Sequence, residues 1–396
     1  MHALSQDHTG VRIKRLRLER HLSQRALSDL SKVPYYTLTK IEQGRAAATP
    51  HAVGALARAM GVQVSTIVGQ PYNSDLRADN LDVLIAPIRE ALDVYDLGAD
   101  PEITARPLRV LRLKSEDLCA AVRAGEIKQV AGDVAGLIEE TTTAAHEQGS
   151  SEGWLILCSL YRTSYDVATK LGYADLAQLS LARLDWAAQR ASSAVFGGAY
   201  QYFRALTYLR EGKYRTGQRL VDLGLRTIGQ AEPSRERDVV IGQLHLGGSV
   251  MAGRAHNEDQ ALGHLAEAET IAARTGESPT VLWMAFGDTN VQVHRVSVLA
   301  ELDKYGKAVQ AASTLAIPHD WPKSRTSHHW AEVARAQMFT GKLDASFISL
   351  QKARKTAPQQ AKYHPMVRDT YASLEAAHRR LPDSFLAYGS WLASQV

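Results

Sequence analysis

"LSQRALSDLSKVPYYTLTKIEQGR", residues 22–45, reads as two short helices set around a tight turn. Ser23 is a good N-cap, and Ala26, Leu27 and Leu30 give the helix after it an apolar side. Lys32 and Val33 make the turn. Pro34 suits the start of the second helix, because the N–H it lacks would be unpaired there anyway. In that helix Leu38 and Ile41 are expected to point inward with Val33. Tyr35, Tyr36, Thr39, Lys40 and Gln43 then face outward, and Gly44 closes the helix in the left-handed conformation.

The pattern continues on both sides. "GVRIKRLRLER" (10–20) sets Ile13 and Leu16 on one side and an arginine-rich surface on the other. Thr49-Pro50 opens "HAVGALARAMG" (51–61), with Val53, Leu56, Ala57 and Met60 at amphipathic spacing and Gly61 as its stop; Ser65 starts one last turn. Up to Gln70 there are ten Lys and Arg against four Asp and Glu, whereas the rest of the chain carries 36 against 38. A small basic head on a near-neutral body points to a polyanionic partner for the head.

Over residues 10–69 the chain resembles the xenobiotic-response-element (lambda-repressor-like) helix-turn-helix domain. Ser23-Gln24, Leu27, Val33, Ile41-Glu42 and Gly44 fall at that family's spacing. Two positions depart from it: Lys32 stands where the turn usually has Gly, and Pro34 where the third helix usually has a Ser cap. The resemblance implies that the third helix enters the major groove of double-stranded DNA. Gln24 is then expected to touch phosphate and steady that helix, with Arg25 beside it. Tyr35, Tyr36, Thr37, Thr39 and Lys40 match the positions that reach base edges, an ammonium suiting guanine O6 and N7. Gln43 and Arg45, at and past the helix end, are expected on phosphate, where they position without specifying sequence.

At 396 residues the chain is too long for one compact core, so two or more units are expected. Residues 1–69 are the DNA-binding head, 70–80 a linker within the turn-rich "GQPYNSDLRADN", and 81–396 an almost wholly helical body. Cys119 and Cys158 show no CxxC or metal spacing and read as reduced core residues. "MHALSQDHTG" lacks the apolar core of a signal peptide, and no apolar run nears the ~18 residues of a membrane span. A soluble, cytoplasmic protein with no membrane partner is expected.

The body carries an internal repeat. A turn followed by a small residue early in a new helix recurs at "LGYADLA", "EGKYRTG", "AHNEDQA", "DKYGKA" and "GKLDAS", anchored on Ala177, Gly217, Ala261, Ala308 and Ser346 in steps of 40, 44, 47 and 38. Twelve residues before the anchors stand Tyr165, Ala205, Ser249, Val296 and Ala334; seven after stand Leu184, Gly224, Ala268, Leu315 and Ala353. Small residues at matched places let helix pairs close tightly. The pattern resembles the tetratricopeptide repeat stretched beyond its usual length, HEAT-type pairs being the structural alternative, and a less regular pair at 109–145 precedes it. The expected fold is therefore all-α: a five-helix helix-turn-helix domain followed by a tetratricopeptide-like α-solenoid.

Such a solenoid lines its concave wall with the first helix of each pair. Matched positions there give a ligand lane of Arg162, Asp166, Tyr202, Gln243, Asn290, Ser297, His328 and Arg335. Asn290 stands out, because the other three asparagines fall in loops or at helix starts, and a carboxamide can donate to and accept from a peptide backbone at once.

Catalytic patterns are missing from the sequence. The Gly-Lys pairs at 212, 306 and 341 lack the rest of a phosphate loop, "HLGGSVM" is not GxSxG, and adjacent His328-His329 diverge on a helix. No enzyme, cofactor or metal is expected. The arrangement resembles the peptide-pheromone receptors of Gram-positive bacteria, which join such a head to a tetratricopeptide sensor, so a regulator answering a peptide is expected, with a small molecule as the rival signal in an actinobacterial setting. The basic head and its one short recognition helix, which reads few base pairs, lead to the expectation of a homodimer on an inverted-repeat operator. With 32 Arg against 14 Lys and much Ala, the composition hints at a GC-rich, actinobacterial genome. The alternative is a scaffold whose solenoid holds a partner protein while the head tethers it to DNA.

Overall fold

The computed structural model describes residues 8–377 and 382–393. The opening heptapeptide, most of the segment judged to lack a signal core, lies outside the described residues. The described chain is all-α apart from a single isolated bridge between Ser278 and Phe286.

The first five helices, α1 (Thr9–Glu19), α2 (Gln24–Ser31), α3 (Tyr35–Glu42), α4 (Pro50–Met60) and α5 (Val64–Val68), share a core of Ile13, Leu16, Leu27, Val33, Leu38, Ile41, Leu56 and Met60. Ser23 caps α2 by accepting from the Ala26 N–H (3.0 Å). Lys32 takes the left-handed conformation (φ 60°) that a glycine would adopt more cheaply, at a cost of about 1 kcal/mol. Local bonds offset it: the Ser28 hydroxyl donates to the Val33 carbonyl (2.7 Å) and the Val33 N–H to Ser31 Oγ (3.2 Å). Pro34 occupies the cap position itself, with no side-chain bond, and α3 begins at Tyr35. At its far end Gly44 (φ +70°) lets its own N–H reach the Ile41 carbonyl (3.0 Å) and that of Arg45 reach Lys40 (2.8 Å). These paired bonds satisfy carbonyls the helix would otherwise leave open.

Two expectations for the head need correction. Leu30 is 59% exposed; the inward side of α2 is Leu27 with Ser28 and Ser31, small polar groups whose hydroxyls bond the turn. The arginine-rich face of α1 is only partly a surface. Arg12 is buried and donates to the Ile67 and Val68 carbonyls (2.8 and 3.1 Å), and Arg17 is buried against Glu42.

Between head and body, residues 73–78 form α6 (Asn73–Ala78), and this stretch is packed down. Fully buried Lys362 pairs with Asp79 (2.7 Å), and Arg368 with Asp75 (2.6 Å).

Beyond α7 (Ile85–Asp93) the body is a series of antiparallel helix pairs: α8 (Leu108–Ala124) with α9 (Ile127–Gln148), α10 (Ser151–Leu171) with α11 (Ala174–Arg190), α12 (Ala194–Arg210) with α13 (Tyr214–Ile228) and α14 (Arg235–Arg254) with α15 (Glu258–Thr275). Then come α16 (Asp288–Glu301) with α17 (Tyr305–Thr314) and α18 (Lys323–Phe339) with α19 (Leu343–Thr356), followed by α20 (Pro358–Tyr363), α21 (Pro365–Ala377) and α22 (Asp383–Ala393). All five anchors are buried, as are the residues twelve before them. In the last pair the Ser346 hydroxyl donates to the Ala334 carbonyl (2.7 Å), which joins the two matched positions directly. Leu315 departs from the pattern, because α17 ends at Thr314.

The longest repeat step has a visible cause. Residues 276–287 form an irregular loop in which Leu282, Trp283 and Ala285 all take positive φ. Arg162 donates to the Leu282 and Trp283 carbonyls, and Gln243 Nε2 to that of Met284 (2.6 Å), so the loop is pinned to the concave side. The solenoid also curls back on itself: α18 packs on α8 and α20 on α10, with the Lys128 N–H bonded to Gln359 Oε1 (3.0 Å). The concave wall is therefore the inside of a closed bore.

The head sits over one mouth of that bore. Gly54 of α4 and Gly212 meet backbone to backbone; a Cβ on Gly212 would stand 2.8 Å from the Gly54 Cα. Around this contact His51 Nδ1 lies 2.8 Å from the Arg254 carbonyl, Arg58 donates to the Gly212 carbonyl, and Thr9 donates to Asp369 (2.7 Å).

Candidate DNA interface and ligand cavity

The outer face of α3 is built from behind. Arg17 of α1 makes a two-pronged contact with Glu42 at the end of α3 (2.7 and 2.8 Å), and Gln24 of α2 donates to the same carboxylate (2.8 Å). Three helices are thus tied at one buried anion, which fixes the angle at which α3 is presented. Gln24 therefore steadies the third helix through Glu42. Thr39 is half-committed: its hydroxyl donates inward to the Tyr35 carbonyl (2.9 Å) and lies 3.5 Å from Gln24 Oε1.

Tyr35 and Tyr36 are 48% and 68% exposed. Neither covers the small core. The Lys40 ammonium lies over the Tyr36 ring (4.2 Å to its centre) and the Arg25 guanidinium near the Tyr35 ring (5.9 Å). Each ring is thus paired with a cation while both tyrosines stay exposed. Gln43 and Arg45 are exposed beyond the helix, and Thr37 is half-buried.

The second feature is a cavity of about 440 Å³ inside the bore, the size of a small-molecule site. Of the eight lane residues, Arg162, Asp166, Tyr202, Gln243, His328 and Arg335 line it. Asn290 and Ser297 do not. Asn290 is fully buried behind the wall, its Oδ1 accepting from Arg325, and Ser297 is bonded to Glu332. Repeat spacing located the wall but not the side chains' reach, because α16 begins directly after the pinned loop.

Much of the wall's charge is already matched. Asp166 pairs with Arg123, and Glu301 with both Arg254 and Arg335 (3.1 and 3.0 Å). Despite burial, the flanking guanidiniums hold the Glu301 carboxyl below its ordinary range. Burial pulls Arg162 down to about 10 while its N–H groups serve the loop carbonyls. His328 contacts His364 (2.9 Å) and Glu332 (3.5 Å), and burial pushes the His364 pKa well below its ordinary value.

Sequence reasoning missed three contributors. Arg325 and Lys170 line the cavity from positions outside the repeat lane. The head supplies Pro50, Val53, Val64 and Val68 to the same wall, which no repeat pattern could announce. Cys119 and Cys158 are free and buried, and burial raises both thiol pKa values. Among the described residues no group of three or more His, Cys, Asp or Glu could hold a metal ion, and no helix is long and apolar enough to cross a membrane.

The N-terminal unit is a helix-turn-helix domain, joined to an α-solenoid. Residues 13–67 match the family model described as Helix-turn-helix. A search of curated proteins returns no match. Among solved structures, the crystal structure of Bacillus thuringiensis PlcR in complex with the peptide PapR7 and DNA aligns over 87% of this chain and 98% of that one. Identity is 12% and the TM-score 0.31, too low to bear on the fold.

Proposed function

We propose that this chain is a signal-responsive transcriptional regulator, in which α3 reads operator DNA and the bore of the solenoid receives the signal. One observation carries the reading: the cavity lined by six of the eight lane residues is walled on one side by the DNA-binding head. An occupant would touch head and body at once, and one that fits a particular head position better than another shifts the population of DNA-competent molecules. A scaffold would instead offer a broad open concave surface, whereas this bore is closed by the return of α18 and α20.

In this reading Tyr35, Tyr36, Thr37, Thr39 and Lys40 meet base edges, and Gln24, Arg25, Gln43 and Arg45 meet phosphates. Because Thr39's proton is engaged with Tyr35, its remaining lone pair and methyl are what it offers DNA. One short recognition helix reads few base pairs, so the working form is a homodimer on an inverted repeat, in the bacterial cytoplasm. Selection of duplexes from a random pool tests this. A single inverted motif is expected, with half-site centres about 34–36 Å apart or a multiple of that; recovery of no motif would remove the reading.

A further inference from the structure

Seven Lys and Arg line the bore against three Asp and Glu. Most have partners: Arg123 has Asp166, Arg254 and Arg335 share Glu301, Arg162 holds the loop carbonyls, and Arg210 lies exposed at the rim on the Tyr165 hydroxyl (2.8 Å). Two do not fit this scheme. Arg325 donates to the amide oxygen of Asn290, and Lys170 to the amide oxygen of Gln360, and neither has a carboxylate within ion-pair distance among the described residues. Arg325 Nε is shielded from solvent with no acceptor, as is Nδ2 of Asn290 behind it. Asp166 attracts Lys170 and Glu332 attracts Arg325 only from beyond ion-pair distance, so these longer-range charges and the amide oxygens offset only part of the cost of withdrawing the two cations.

The rest of the wall is of another kind. Tyr202, Phe203, Leu206 and Met338 of the body face the same cavity as Val53 and Val68 of the head. The space thus combines apolar lining with two amide-bound cations, Arg325 and Lys170, close enough to repel each other.

We propose that the bore binds a small organic acid, its carboxylate on Arg325 and Lys170 and its apolar body against the aromatic and head-derived wall. The acid completes the charge pattern that the protein leaves open. A free fatty or aromatic acid and the C-terminus of a short peptide present the same chemistry. The inference deepens the proposed signal role of the bore and rests on it.

Calorimetry on the full chain compares octanoate with octanamide, which differ in charge and scarcely in shape, and N-acetyl-Leu-Phe as free acid and as amide. At least one acid should bind ten-fold or more tightly than its amide. Binding only by the dipeptide acid assigns the site to a peptide C-terminus, and binding by octanoate to a free acid. Arg325→Gln should erase the preference, Arg325→Lys keep it, and Lys170→Gln, an independent change, reduce it. Equal affinity for acid and amide, binding of neither pair, or a preference unchanged in both Arg325→Gln and Lys170→Gln would overturn the proposal. Equal affinities would leave a regulator with a neutral signal, whereas failure to select a DNA motif would leave the acid site without the regulator.

Discussion

Arg325 and Asn290 are joined end to end across two helices: the guanidinium donates to Oδ1, while Nδ2 of the fully buried amide faces no protein acceptor. Asn290 therefore acts on the cavity through Arg325, whose direction it sets. Asn290→Ala should weaken octanoate binding about ten-fold and leave DNA affinity without ligand intact. Asn290→Asp should weaken it further, because a fixed carboxylate would satisfy Arg325 in advance. Calorimetry showing unchanged affinity in both would detach Asn290 from the site.

On the DNA side, Lys40→Ala or Tyr36→Ala removes one partner of an exposed cation–aromatic pair. Each should cost about 1–3 kcal/mol of affinity for the selected duplex and little for random DNA. Arg45→Ala should lower both alike. Anisotropy titrations at fixed salt separate the cases, and an equal loss on both duplexes for Lys40→Ala would move it to the phosphate class.

Glu42 is a structural test of the head. Replacing it with Gln leaves the Arg17 guanidinium, 7% exposed, without its anion. Breaking one side of a buried pair costs about 3–5 kcal/mol, a large share of a domain's stability. Hydrogen exchange at Leu38 and Ile41 should rise steeply in Glu42→Gln; unchanged protection would show the clamp to be dispensable.

The head was legible because its signals are local: a cap at Ser23, a glycine at 44, and apolar spacing within single helices. The repeat was legible because small residues recur at matched places. What escaped depends on long-range contact. Nothing in "GVRIKRLRLER" tells which arginines meet Glu42, which lies 25 residues on from Arg17. Asn290 looked like a wall residue because the lane assumed a regular repeat, and the loop at 276–287 breaks that regularity just before it. Arg325 and Lys170 lie off the lane and matter only because the solenoid closes.

Lys170 makes acid binding depend on pH. Burial, with Arg123, Arg210 and Arg325 reinforcing and Asp166 opposing, pulls its pKa from 10.5 down to about 7. Below that value folded and unfolded chains are both protonated, and the full cost of the buried charge is present. Between about 7 and 10.5 the unfolded chain holds the extra proton, so ligand-free stability should rise with pH across that window. A carboxylate needs the charged lysine, so octanoate affinity should fall between pH 6 and 9. The difference between wild type and Lys170→Met in melts and titrations isolates the effect; parallel pH curves would contradict it.

Coupling between cavity and operator is the central claim, and linkage gives its most direct measurement. Affinity for whichever of the two acids binds, octanoate standing for either, is read by calorimetry for the free protein and for the protein saturated with its selected duplex. Because the head walls the cavity, the two values should differ about 5-fold or more, and octanoate should change operator affinity by the same factor. Identical octanoate affinities with and without operator would contradict the account.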